Sequence, residues 1–486
     1  MYRYKFLELL TKIGDYEKEL LNISIKHRCL DDKPLFFTSD SRKVKENSVY
    51  IAIKGLNENG HDYVNESFQK GAIISVIEEF GDFEGPCIKV DSTIDFINEL
   101  ASMHYRDCSP YTIAITGSNG KTTTKEWVRN LLGEFIPNST IFSNVGNMNT
   151  EIGLPLCILN DMNESIAFSI LEMGMSERGD IGYLVDKYKP DFPVILNIGS
   201  AHIGNTGSLE NTLLAKAEIF KSRKENGLYA INSSDLLLRE YAQKHMSLKS
   251  AVLFGKAEDA IEGTTGVFLK GFEYAFEEEI HSTSLKLLVK GVSGEKEMKI
   301  KLNWLLHEGQ ILNLCAALAI LHGLGKDLFS IQDFNSLINP IHERFEIVYK
   351  LNHLIIKDCY NSSLESLGFA LEVLKSLKKS GDYEKLCCIL GSIAETGNYN
   401  TQTHEKLGDM LNQATVETAY LYTKDDDIVR LKKVYKGEVY LSNNIDDIGK
   451  MIINEMRTQK KGLFLFKASR SIKLEEVYDY VMDAVD

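Results

Sequence analysis

The sequence predicts an α/β protein of about three domains, built round a parallel sheet that carries a phosphate-binding loop. Three observations predict it. At 486 residues the chain exceeds what one ordinary core organises. Short apolar runs bounded by turn signals alternate with helical stretches along most of it. Finally, Ile113-Ala114-Ile115-Thr116 runs into Gly117-Ser118-Asn119-Gly120-Lys121-Thr122-Thr123-Thr124-Lys125 and then into Glu126–Leu132. That is an apolar strand, a glycine turn, a Lys-Thr pair and a helical segment.

Taken in order, residues 1–108 form a first unit. It opens on a charged helical pattern, Met1–Leu21, that lacks a signal-peptide core. Strand-like runs follow at Val49–Ile53, Ile73–Glu78 and Cys87–Val90. Residues 109–338 form the second unit. Tyr111–Thr116, Ala167–Glu172 and Pro193–Asn197 read as buried parallel strands, each ending in a glycine-containing loop, where open α/β sheets place ligands. Residues 250–303 alternate in polarity like strands, and Trp304–Leu324 reads as a strong helix. Residues 339–486 form the third unit, with strands at Leu354–Lys357, Leu386–Leu390, Ala419–Tyr422 and Gly462–Phe466 and helices between them.

Composition narrows the function. Hydrophobic content of 44% and charged content of 26% are those of a globular protein, and no apolar run is long enough to span a bilayer. The eight cysteines are scattered without a C-x-x-C pair, so buried free thiols are expected rather than disulfides or zinc. A formal charge of −14 argues against a nucleic-acid partner, whose phosphates call for Lys and Arg. The expectation is a cytoplasmic protein without membrane insertion, and a monomer.

The glycine turn carries the chemistry. Backbone N–H groups of Gly117, Ser118, Asn119 and Gly120 and the N-terminus of the following helix face an anion. Lys121 reaches the terminal phosphates, and the hydroxyls of Thr122 and Thr123 follow, Thr122 as an Mg2+ ligand. The first glycine of the general pattern would fall at Ile115, so this is a variant that reads T-G-S-N-G-K-T-T. A nucleoside triphosphate is the expected ligand. Glu172 stands where the strand Ala167–Glu172 ends, and a carboxylate beside a triphosphate is a natural Mg2+ ligand. His202 follows the strand Pro193–Asn197. Lys216 sits on a helical stretch among apolar neighbours, where the plain alternative is a snorkelling lysine.

These motifs, in this order, resemble the Mur ligases, the ATP-dependent amide-forming enzymes of peptidoglycan precursor assembly, and most closely their MurF type. The likeness spans essentially the whole chain. It rests on Asp40-Ser41-Arg42 and Asn59-Gly60-His61-Asp62-Tyr63, then on TGSNGKTTTK and Gly146-Asn147-Met148-Asn149-Thr150, and on LEMGM, NIGSAHIGNTGS and AKAEIF. It implies the three-domain Mur ligase architecture, with a central P-loop parallel-sheet ATPase domain and a Rossmann-like C-terminal domain. It implies ATP and two Mg2+ ions, held by Thr122 and Glu172 and by His202 and a carbamylated Lys216. Asn313 would meet the adenine, Arg344 the phosphates and Asp358 the ribose. Lys121, Glu172, His202, Lys216 and Arg344 would be catalytic. Ser41, Arg42 and His61 would serve a UDP-linked peptide, and Asn147, Asn149 and Thr150 would also bind substrate. Tyr360, Asn361, Glu395, His404, Lys467, Ser469 and Arg470 would line the site of the amine, an amino acid or dipeptide.

The sequence departs from the MurF pattern at several points. A usual glycine is Glu343, a usual asparagine is Thr150, a usual Asn-Pro is Ser363-Leu364, and a usual aspartate is Ser392. Three readings therefore stand. The first is a ligase adding D-alanyl-D-alanine to a UDP-N-acetylmuramoyl tripeptide. The second is a MurF-like ligase with a different amine or carboxylate substrate. The third is a nucleotide-binding module that does not ligate, against which Lys121, Glu172, His202 and Lys216 count.

Overall fold

The computed structural model describes residues 34–55, 58–223, 227–277, 280–292 and 294–485. The helical pattern read over Met1–Leu21 lies outside the described residues. Three sheets follow one another along the chain. The first is all parallel, in the order β1 (Phe36–Thr38), β2 (Ser48–Ile51), β3 (Ala72–Ile77), β4 (Cys87–Lys89). The helix Thr93–Cys108, capped by Ser92, then leads into the second sheet.

That sheet holds β5 (Tyr111–Thr116), β6 (Ile141–Ser143), β7 (Phe168–Glu172), β8 (Phe192–Ile195), β9 (Tyr229–Asn232), β10 (Ala251–Lys256), β11 (Thr265–Glu277), β12 (Ile280–Gly291) and β13 (Gly294–Leu302). The order across it is 13-12-11-10-9-8-5-7-6. Strands β5 to β11 pair in parallel, and β12 and β13 add an antiparallel ribbon at one edge. Both faces of β5 are covered, which is why it reads as an unbroken apolar run. Ile113 and Ile115 meet Trp127 in one core, and Ala114 joins a core on the other face. The helix Glu308–Gly323 is apolar nearly all round because it is buried between the phosphate-loop helix, Lys121–Leu132, and β10. It starts four residues later than Trp304, where the sequence places it. His307 forms a capping box with Gln310 and ends the extended segment.

The third sheet runs β14 (Glu346–Lys350), β15 (His353–Asp358), β19 (Gly462–Lys467), β16 (Lys385–Leu390), β17 (Thr418–Tyr422), β18 (Glu438–Ser442), parallel except for β14. Residues at the carboxyl ends of β5, β7 and β8 face residues at the carboxyl ends of β15 and β19 across one cleft. A parallel sheet gathers its loops at that edge, so two such sheets set edge to edge make one composite site.

Candidate active site

The phosphate loop leaves β5 at Gly117 and enters its helix at Gly120, whose φ of 83° is left-handed. A side chain at 120 would also collide with the Asn313 amide, so glycine is required twice over. Asn197, just past β8, clamps the loop: its Oδ1 accepts from the Asn119 N–H at 2.8 Å and its Nδ2 donates to the Asn119 carbonyl at 3.0 Å. The Gly199 N–H donates to Ser118 Oγ at 2.8 Å. Lys121 lies over its own loop, with Nζ donating to the Gly117 carbonyl at 2.8 Å. Burial lowers the Lys121 pKa; Glu172 and Glu395 oppose that shift and Arg344 adds to it. An anion in the loop would restore the ammonium's charge balance.

Glu172 ends β7 and is held by its neighbours. Asn144 Oδ1 accepts from the Glu172 N–H at 2.8 Å, and Asn149 Nδ2 donates to Glu172 Oε1 at 2.6 Å. The other carboxylate oxygen, Oε2, is buried without a hydrogen-bond partner. An orphaned carboxylate oxygen is costly unless a cation arrives. Buried Lys125 straps the same loop from beneath, donating to the carbonyls of Asn144 and Gly146.

Lys216 lies in the last turn of the helix Leu209–Ala217 at 1% exposure, and its side-chain amine has no hydrogen bond or ion pair among the described residues. Burial, aided by Lys121, drives its pKa well below the usual value, which favours the neutral amine. His202 has a φ of 63° and places Nδ1 2.5 Å from Glu395 Oε2 across the cleft. That contact holds the Glu395 carboxyl below its ordinary pKa.

The C-terminal wall is cationic. Arg344 has no carboxylate partner among the described residues, and its guanidinium lies 3.8 Å from the centre of the Tyr360 ring; Arg470 lies 5.6 Å from the same ring. Lys467 is buried against Asp358, with Nζ to Oδ2 at 2.5 Å. Asn313, Gly309, His307 and Phe369 complete a pocket next to Lys121, Thr122 and Thr123. The imidazole of His307 and the ring of Phe369 stack there with centroids 5.5 Å apart.

The structure thus brings together Ser118, Asn119, Gly120, Lys121, Thr122, Asn147, Asn149, Thr150, Glu172, His202, Arg344, Tyr360, Asn361, Glu395, Ser469 and Arg470 round one cleft of about 430 Å3. Thr123, Asn313, Asp358 and Lys467 line the adjoining pocket, with Lys121 and Thr122. His404 is fully buried outside the cleft: Nε2 accepts from the Ile393 N–H at 3.1 Å and Nδ1 donates to the Asn400 carbonyl at 3.0 Å. His61 is likewise committed, with Nε2 accepting from the Glu78 N–H at 2.8 Å and Nδ1 donating to Asn59 Oδ1 at 2.9 Å. Both histidines therefore hold backbone in place. Ser41 and Arg42 sit on a turn after β1, and Arg42 spans both oxygens of Asp40 at 2.8 and 2.9 Å. The sequence reading passed over Asn144, Asn197 and Glu365. Glu365 accepts from the Ser200 N–H and Oγ, both at 2.9 Å. Asn197 stands in the quoted text NIGSAHIG, at a strand end, and that position was its signal.

A phosphate loop, a buried carboxylate and a cationic wall from a second sheet define a nucleotide-dependent group-transfer protein. Residues 115–321 match the Mur ligase middle domain, and residues 343–470 the Mur ligase glutamate ligase domain. The crystal structure of MurF ligase from Thermotoga maritima in complex with ADP superposes with a TM-score of 0.76 at 30% identity, over 93% of this chain and 98% of that one. The UDP-N-acetylmuramoyl-tripeptide–D-alanyl-D-alanine ligase of Haemophilus influenzae is 29% identical over 92% of this chain and 93% of its own length. That of Bacillus subtilis is 29% identical over 90% and 91%. The chain belongs to the Mur ligase family, as a MurF-type ligase.

Proposed function

We propose that this chain joins D-alanyl-D-alanine to the terminal carboxylate of a UDP-N-acetylmuramoyl tripeptide, driven by ATP. The observation that carries the reading is the cleft itself, in which one sheet offers a phosphate loop and the other Arg344, which has no carboxylate partner among the described residues. A carboxylate is a poor electrophile at neutral pH. Transfer of the γ-phosphoryl group makes it an acyl phosphate and releases ADP. The dipeptide amine then attacks the acyl carbon, and phosphate leaves.

Phosphoryl transfer asks mainly for positioning and charge neutralisation. Lys121 and Arg344 flank the phosphates, and the Asn197 clamp keeps the loop N–H groups aimed. His307, Phe369 and Asn313 receive the base, and Asp358, held by Lys467, the ribose. Arg470, with Ser469 and Tyr360, meets the carboxylate of the dipeptide. Closure of the two sheets over the acyl phosphate excludes water.

Among the described residues no three His, Cys, Asp or Glu side chains form a ready-made metal cluster. That suits Mg2+, which keeps much of its shell as phosphate oxygen and water. Thr122 and Glu172, with its free Oε2, fit one such ion, which supplies charge neutralisation when bound. For a second ion His202 and Lys216 are the candidates. The neutral form of Lys216, which burial favours, can add CO2 and lose a proton, and the carbamate so formed is an oxygen ligand where an ammonium would repel.

The residues that depart from the MurF pattern have local structural explanations, which favours this reading over an altered amine. Ser363 and Leu364 are the cap and first residue of a helix, and Ser392 Oγ donates to the Asp425 carboxylate at 2.5 Å. Thr150 Oγ1 accepts from the Gly153 N–H at 3.3 Å, at the start of another helix. The test is phosphate release from ATP and Mg2+ with UDP-N-acetylmuramoyl tripeptide, comparing D-alanyl-D-alanine with single amino acids and other dipeptides. Release that depends on D-alanyl-D-alanine, with the pentapeptide product seen by mass, is the expected result. Release only with another amine overturns the substrate, and ATP binding without release overturns the ligase.

A further inference from the structure

Glu343 combines backbone strain with a network of charges. Its φ is 58°, and Phe345 on the far side of Arg344 has the same value. Left-handed backbone suits glycine, and a side chain persists there only where its surroundings over-determine it. Of those surroundings, Tyr360 and Arg470 line the cleft, and Lys357 and Glu346 lie behind it. Glu343 Oε1 faces Lys357 Nζ at 3.6 Å and Oε2 faces an Arg470 terminal nitrogen at 3.2 Å. The Tyr360 N–H donates to the Glu343 carbonyl at 3.4 Å, and the Glu343 N–H donates to Glu346 Oε2 at 3.2 Å. The carboxylate is only 12% exposed, whereas Arg470 is 57% exposed. Glu475 takes the same Arg470 nitrogen at 3.1 Å. The other guanidinium nitrogens of Arg470 have no protein acceptor among the described residues, and the residue lines the cleft.

We propose that Glu343 is a positioning residue for the amine substrate: it fixes the Arg470 fork beside Tyr360 and Arg344 so that the fork meets a free carboxylate. An exposed arginine left to itself samples many rotamers, and ordering it on binding costs affinity. The Glu343 tether orders it beforehand. Arg344 and the tether are consecutive residues, so one turn places both cations.

This inference rests on the proposed reaction, and its test separates the two. Glu343→Gln keeps the size and removes the charge; Glu343→Gly removes the tether and relaxes the backbone. Steady-state kinetics should show the KM for D-alanyl-D-alanine rising about tenfold in both, with the KM for ATP within about twofold of the unsubstituted protein. In an Arg470→Ala background, Glu343→Gln should add nothing further to the dipeptide KM, because the residue acts through Arg470. An unchanged dipeptide KM in both single variants, or effects that multiply independently in the double variant, overturns the inference. If the unsubstituted chain turns over a different carboxylate-bearing amine, the reading above falls, and the same comparison on that amine decides the role of Glu343.

Discussion

Two residues show how much a single position can be asked to do. Gly120 must be left-handed and must leave room for the Asn313 amide. Gly120→Ala is therefore expected to lower ligation by about 100-fold or more, since loop and base pocket shift together. Calorimetric titration with ATP should show the loss, while circular dichroism stays unchanged. His307 is held neutral: burial drops its pKa to about 4, with Asp358 pulling upward and Lys467 downward. Its Nδ1 is already an acceptor for the Gln310 N–H at 3.1 Å. Because the folded value lies below the unfolded one, the unfolded chain binds the extra proton between about pH 6.5 and 4. This residue thus makes stability fall as pH drops through that window and contributes no slope above it. Urea midpoints from pH 7 to 4.5 should show a difference on the order of 2 kcal/mol that shrinks in His307→Asn, which can still cap the helix. Equal slopes in the two proteins would contradict the assignment.

Helix starts explain much of what looked anomalous in the chain. Ser363 Oγ accepts from the Ser366 N–H at 3.2 Å and donates to Asn119 Oδ1 at 3.2 Å, so one hydroxyl caps a helix and touches the phosphate loop. Ser363→Ala should cost about 1 kcal/mol in chemical unfolding. Leu364→Pro should cost no more than about 1 kcal/mol, because proline is at home in the first helical position. A loss of about 3 kcal/mol, the interior value, would show that the helix starts earlier. The sequence was readable where elements are apolar, buried on both faces and bounded by turns, as β5, β7, β8, β16 and β19 are. It was silent for β6, which has three residues, and for β18, an edge strand with Tyr440 and Leu441 exposed. The half-buried β14 was also missed. Site residues at strand ends were visible because position alone marked them. Glu365 and Ser363 were not, because their partners lie 165 and 244 residues away and no local pattern announces such a pairing. His61 and His404 stood in recognisable text, yet their ring nitrogens are spent inside the fold, on backbone and, for His61 Nδ1, on the Asn59 side chain, which no motif reveals.

For the whole molecule, the second and third sheets meet through an apolar seam, where Leu305, Tyr274 and Phe276 join the third sheet's core and His307 stacks on Phe369, and through polar pairs at the cleft. Glu365 on Ser200, Glu395 on His202, Ser363 on Asn119, and the Tyr399 hydroxyl donating to the Gly207 carbonyl at 2.8 Å make up a latch that water can replace bond for bond. Such a latch can open for product release without a large penalty. Glu365→Ala should lower kcat about tenfold with little change in melting temperature, and small-angle scattering with an ATP analogue should show a larger radius of gyration. A closed, fully active variant would rule the latch out. Gly204 lies at the tightest point of this seam. Its N–H donates to the Glu395 carbonyl at 2.9 Å, and a Cβ there would stand 2.6 Å from that oxygen and from the Gly397 nitrogen. A methyl at 204 has space whenever the two halves part and none when they meet. Variants screened for folding alone should therefore accept alanine at this position, whereas variants screened for growth dependent on turnover should return glycine.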